Sequence, residues 1–174
     1  PLRNFKDNSL SQSVGRLRLS LERGFYDGIF CISNYLIEFY KNAGFAEKKL
    51  FLVPSTVDTA RFNIEMKSPL PYDYIAYCGS LTVMKDGVDI LIESFSRICG
   101  KHSNINLVLI GAGDTVEEEE YVRNLVQTLK LESRIIFLGL LPRTEVPKYL
   151  LNAKILALAR PKSKVADAGF PSKL

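Results

Sequence analysis

Hydrophobic and polar positions along this chain follow two periods, and the places where one gives way to the other outline its elements. Over 13–25, Val14, Leu17, Leu21 and Phe25 recur at helical spacing with Arg16, Arg18 and Arg23 on the remaining surface, which predicts an amphipathic basic helix. Residues 28–33 read as a buried strand, 35–43 as a helix stopped by Gly44, and 50–53 as a second strand broken by Pro54. No period is sustained over 58–73, where Pro69 and Pro71 interrupt the chain, so this stretch is the predicted interdomain linker.

Beyond it the pattern becomes regular. Strands are predicted at 74–78, 105–110, 135–138 and 155–159. Helices are predicted at 88–99, with apolar residues at 88, 91, 92, 95, 98 and 99, then around Val122, Leu125, Val126 and Leu129, and at 144–153. Strands alternating with helices at these lengths imply βαβ units and a parallel, doubly wound α/β sheet. The expected division is 1–57 as the remnant of a first domain, 58–73 as linker and 74–174 as a second, Rossmann-like domain.

Length and composition narrow the function classes. The 174 residues suffice for one good-sized core, and no apolar run is long enough to span a bilayer. A formal charge of +4 with both signs interspersed gives nucleic acid little to hold, so no nucleic-acid partner is expected. The basic helix at 13–25 has two readings, a peripheral membrane contact and an ordinary solvated face.

Cys31, Cys78 and Cys99 lie in apolar patterns without CxxC spacing and are expected to be buried, reduced and cytosolic. His102 is the sole histidine, so the chain alone builds neither a Ser-His-Asp triad nor a multi-histidine metal site. The sequence also lacks an Asp-x-Asp pair to hold a divalent ion on a diphosphate. No metal and no cofactor are expected.

In open parallel sheets ligands bind beyond the carboxyl ends of the strands. Three predicted ends carry Gly79, Gly111 and Gly139. At Gly111-Ala112-Gly113 the dinucleotide fingerprint fails, because Val116 replaces its third glycine and Glu117 to Glu120 crowd the helix start, where Asp114 and Glu117 have capping-box spacing. The loop 79–87 is different, with Lys85 placed just before a helix as a point charge suited to phosphate. A second basic set, Arg160, Lys162, Lys164 and Lys173, surrounds Gly169-Phe170-Pro171-Ser172, and both loops are expected at one sheet edge, converging on one anion.

With these motifs in order, the chain from about Tyr26 to Leu174 resembles the family 4 glycosyltransferases of GT-B fold. The resemblance is carried by Asp27-Gly28-Ile29 with Cys31-Ile32-Ser33-Asn34-Tyr35-Leu36, and by Val53-Pro54-Ser55-Thr56-Val57-Asp58 followed by Phe62. It continues through Gly79-Ser80-Leu81 with Lys85-Asp86-Gly87, Leu107 to Gly113, Ile136-Phe137-Leu138-Gly139, and Gly169-Phe170-Pro171. It implies a retaining-type enzyme moving a hexosyl group from a nucleotide-diphosphate sugar to a glycan or lipid-linked acceptor.

Carried over residue by residue, Gly79, Ser80 and Lys85 would meet the donor diphosphate and the backbone of Gly139, Leu140 and Leu141 the base. Arg160 belongs to the cationic set around the anion. Gly169, Phe170, Pro171, Ser172 and Lys173 would touch sugar hydroxyls and phosphate. Ser80 stands where the family has arginine, and the first glutamate of its Glu-x7-Glu motif would fall near Ala168, leaving Asp167 or backbone groups in its place. The second would lie past Leu174, and the chain is read as part of a longer protein; Gly79-Ser80-Leu81 and Phe170-Pro171-Ser172-Lys173-Leu174 resemble a bacterial polysaccharide-synthesis branch of the family, which implies a cytoplasmic enzyme peripheral at the inner face of the cell membrane. The rival readings are a GT-B sugar-nucleotide epimerase and a non-catalytic sugar-nucleotide-binding subunit.

Overall fold

The computed structural model describes residues 18, 19, 21–63 and 65–169. The described residues up to Thr56, with those from Lys162 onward, form one compact unit, and Val57–Pro161 form the other. In the first unit β1 (Ile29–Cys31) and β2 (Leu50–Leu52) pair in parallel, Ile29 opposite Leu50 and Cys31 opposite Leu52. Helix α1 (Asn34–Asn42) starts at Ser33, whose backbone is extended and whose hydroxyl accepts the Leu36 N–H at 3.3 Å. That hydroxyl also donates to the Ala168 carbonyl at 3.2 Å, which ties the short helix Lys164–Ala168 to this unit. Tyr40 meets buried Phe45 edge-on at 5.3 Å. Most of the basic helix predicted at 13–25 lies outside the described residues.

The second unit is a four-stranded sheet in the order β5-β4-β3-β6, every pairing parallel. Its strands are β3 (Asp73–Cys78), β4 (Ile105–Ile110), β5 (Ile135–Gly139) and β6 (Ile155–Leu156). Between them run a one-turn helix α2 (Val83–Asp86), α3 (Val88–Ile98), α4 (Val116–Thr128) and α5 (Val146–Leu151). Successive strand residues point to opposite faces, and the core divides accordingly. Tyr77, Leu107 and Leu109 pack with Val88, Ile92 and Phe95 of α3 and Val122 and Val126 of α4. Tyr74, Ala76, Val108 and Ile110 face the other way, against Leu150 of α5 with Phe62 and Leu70. The doubly wound reading of the sequence therefore holds, and the reversal of strand order falls between β3 and β6.

Four local expectations change. Residues 58–73 do not run free between units, because Phe62 and Leu70 pack on the second core, Arg61 donates to the Arg143 carbonyl at 2.8 Å and Asn152 donates to the Met66 carbonyl at 3.0 Å. Residues 162–169, expected in the second domain, belong to the first unit, held there by the Ser33–Ala168 contact. The cap of α4 is Thr115, which accepts the Glu118 N–H at 3.2 Å, so the cap lies one residue on from the expected Asp114. Strand β6 ends early, with Ala157 N–H still donating to the Ala76 carbonyl at 2.9 Å, because it is paired along one edge. Among the described residues, no helix is long and apolar enough to cross a membrane.

Candidate functional site

The carboxyl ends of β3, β4 and β5 are drawn together by backbone hydrogen bonds that run past the strands themselves. Gly79 N–H donates to the Ile110 carbonyl at 2.9 Å, Leu81 N–H to the Ala112 carbonyl at 2.8 Å, and Gly111 N–H to the Gly139 carbonyl at 2.8 Å. The approach is close enough at Gly111, with φ of +136°, that a β carbon there would lie 1.8 Å from the Gly79 carbonyl oxygen. Over these joined ends opens a cavity of about 150 Å³ lined by Cys78, Gly79, Ser80, Ile110, Gly111, Ala112, Leu140, Leu141 and Val146.

Among the described residues, no charged side chain lines it. Its volume lies below the roughly 300–1,000 Å³ of pockets that enclose a drug-sized ligand. Leu140, 81 % exposed, stands at its rim.

Beside the cavity runs the loop leaving β3, which continues from Gly79 and Ser80 into α2. Tyr77 donates its hydroxyl to the Ser80 carbonyl at 2.6 Å, and burial, reinforced by the Asp86 carboxylate, raises that hydroxyl well above the ordinary tyrosine range. The phenol therefore stays a donor and holds the start of the loop. Lys85 is exposed on α2, while Asp86 beside it is buried. Arg160, following β6, places Nε at 3.1 Å and Nη2 at 2.9 Å from Asp86 Oδ1.

The sequence-predicted residues thus separate into groups. Gly79, Ser80, Leu140 and Leu141 share the cavity, with Gly139 one hydrogen bond away. Lys85 sits on the same loop with its side chain toward solvent, and Arg160, expected to be a cation for an incoming anion, is engaged by Asp86. Gly169 lies in the first unit together with Lys162 and Lys164, and Phe170, Pro171, Ser172 and Lys173 fall outside the described residues.

Sequence reasoning quoted Asp86 within the Lys85-Asp86-Gly87 motif but gave neither it nor Thr82 a role, although their spacing of four beside a loop lysine was a readable signal. It also passed over Ala112 and Val146 on the cavity wall. Two of the acids of α4, Glu117 and Glu119, are engaged locally. Arg123 pairs with Glu119 at 2.8 Å and, with the Gly113 N–H, holds that carboxyl below its usual range. The Glu117 carboxyl is lowered by its own backbone N–H and the Thr115 hydroxyl. Among the described residues, no group of three or more His, Cys, Asp or Glu side chains is placed to hold a metal ion.

Comparison with known proteins agrees with this geometry. The family model described as glycosyl transferases group 1 matches residues 58–174. The Arabidopsis thaliana phosphatidylinositol N-acetylglucosaminyltransferase subunit is 27 % identical over 113 residues, covering 65 % of this chain and 25 % of its own length. Anabaena HepE, solved in complex with UDP-glucose, superposes with a TM-score of 0.70 at 17 % identity over 86 % of this chain and 43 % of its own. The C-terminal domain of the group 1 glycosyl transferase LpcC of Francisella tularensis gives 0.51 at 22 % identity over 58 % and 57 %. The chain spans about a quarter of that plant relative and less than half of HepE. A parallel sheet joined at glycine-bearing strand ends, in a chain matched by this family's model over well more than half its length, makes the protein a member of the group 1 glycosyl transferases.

Proposed function

We propose that this protein transfers a sugar from a nucleotide-diphosphate donor, and that the second unit holds the donor. The observation that carries the reading is the neutral cavity over β3, β4 and β5 with a solvent-facing lysine on the adjoining loop. An uncharged base fits against Leu140 and Leu141, while Lys85 neutralises the diphosphate and stabilises it as leaving group. HepE, which shares this fold, was solved with UDP-glucose, and that supports a nucleotide sugar as the ligand class.

The finer assignment follows the sequence resemblance. It comprises family 4, a retaining hexosyl transfer, a glycan or lipid-linked acceptor held by the domain to which 1–57 belong, and donor contacts from Gly169, Phe170, Pro171, Ser172 and Lys173.

The test is calorimetric titration of the full-length protein with UDP, GDP and ADP. Lys85→Ala should weaken the tightest of them by roughly tenfold to a hundredfold, the range of a lost charged hydrogen bond, and Lys101→Ala should leave it unchanged. Equal affinities of the two variants would reject the assignment. Sugar transfer above a no-protein control separates an enzyme from a protein that only binds the donor.

A further inference from the structure

In a parallel sheet whose strand order reverses, the loops on either side of the reversal leave toward opposite faces and open a crevice between them. Here that place lies between β3 and β6, and one buried ion pair spans it. Asp86 and Arg160 are 7 % and 16 % exposed. Both Arg160 nitrogens that reach the carboxylate converge on Oδ1, and Thr82, 3 % exposed, donates its hydroxyl to Oδ2 at 3.1 Å. Just beyond, a β carbon on Gly87 would lie 2.1 Å from the Ala159 carbonyl oxygen, so the two loops touch through their backbones as well.

A buried ion pair is poor evidence for stability. Desolvating both ions offsets much of their attraction, and apolar replacements of similar volume are often no worse. What the pair does provide is a fixed geometry. Asp86 is drawn inward from both sides, and that sets the turn on which the preceding residue, Lys85, faces solvent.

We propose that Asp86 and Arg160 are positioning residues, a clamp across the crevice that holds the 79–87 loop ready for the donor diphosphate, with Arg160 acting through Asp86 and not by touching the anion. The inference rests on the donor-site reading above. Its chemistry is pre-organisation: an ammonium already aimed at the phosphates loses less freedom on binding than one carried by a loose loop. Tyr77 holds the start of the loop through Ser80, and the clamp holds its end.

The test uses the full-length protein and the tightest-binding of UDP, GDP and ADP, with affinity and Tm read together. Asp86→Asn and Arg160→Met should each weaken binding by roughly tenfold to a hundredfold, the scale of a misplaced binding group. The double variant should be no worse than either single, and Lys85→Ala should cost much less in the Asp86→Asn background than in the wild type.

The apolar pair Asp86→Leu with Arg160→Met should bring Tm back toward the wild type while affinity stays low, which a purely structural role would not produce. Tighter binding on freeing Arg160 by Asp86→Asn, additive losses, or affinity recovering with Tm would each overturn the clamp. Failure of the wild type to bind any of the three nucleotides would overturn the donor-site reading and the clamp with it. Binding by the wild type with unchanged variants would overturn the clamp alone.

Discussion

Two glycines at the same sheet edge allow a controlled test of how the strand ends are joined. Gly111 and Gly139 both have positive φ, +136° and +66°, but a β carbon on Gly111 would strike the Gly79 carbonyl oxygen at 1.8 Å whereas one on Gly139 meets nothing within 4 Å. Gly111→Ala therefore adds backbone strain of about 1–3 kcal/mol and a displacement that breaks the Gly79–Ile110 hydrogen bond, about 0.5–1.5 kcal/mol more. The sum is about 2–4 kcal/mol.

For Gly139→Ala only the left-handed conformation is penalised, about 1–2 kcal/mol, and the loss of unfolded-state freedom returns part of it, leaving about 1 kcal/mol. For a chain of this size these correspond to Tm losses of roughly 6–12 °C and about 3 °C. Urea titration and thermal melting of both variants read the difference directly. Equal losses, or a larger one at Gly139, would refute the argument that contact with Gly79 makes position 111 special.

Substitutions at two further residues test other polar anchors of the second unit. Arg134 donates to Asn106 and to the Cys99, His102 and Ile105 carbonyls while lying over the Phe95 ring at 5.9 Å. Arg134→Ala should lose about 2 kcal/mol in urea titration, and Arg134→Lys, which lacks the planar fork, should not restore it; full recovery with lysine would contradict this account. Tyr74 donates to the Tyr149 carbonyl at 2.7 Å, and burial pushes its hydroxyl up to about 12 from 10.0. Its contribution is thus fully present below pH 10 and lost as pH rises through about 12. Tyr74→Phe should be less stable than wild type at pH 8 by about 1 kcal/mol, and the gap should close by pH 11–12. A gap that does not change with pH would contradict the assignment.

Much of the second unit was legible because its strands alternate. Ile75 and Tyr77 serve one core, Tyr74 and Ala76 the other. Helix periodicity was less exact. On α3 the sequence pattern buried Ile98, which is 43 % exposed, and left out Asp89, which is buried, so the inward face is rotated toward the start of the helix.

The docking of 58–73 was hidden because Phe62 packs from a four-residue 3-10 helix and Leu70 from a bend, both too short for a period to mark them. At the cavity, Gly79 and Gly111 were readable as strand-end residues, whereas Leu140 and Leu141 came only from the family resemblance. The engagement of Arg160 was not readable, since its partner lies 74 residues away and meets it only through the strand order. Local spacing carries no trace of such a pairing.

That separation also bears on the order in which the protein is made. The segment carrying Lys85 is synthesised before β4, β5 and β6, and β3, β4 and β5 can pair in sequence as each emerges. Arg160 follows only after all of them. At roughly 5–20 residues per second, about 4–15 s pass between the synthesis of Asp86 and that of its partner. During that interval a carboxylate destined for the interior lacks its guanidinium, and the end of the 79–87 loop lacks one of its two side-chain anchors. The loop carrying Lys85 is thus among the first parts of the second unit to be translated, while the ion pair that fixes its end is among the last to form, so a nascent chain stopped short of Arg160 would carry the paired strands without that pin.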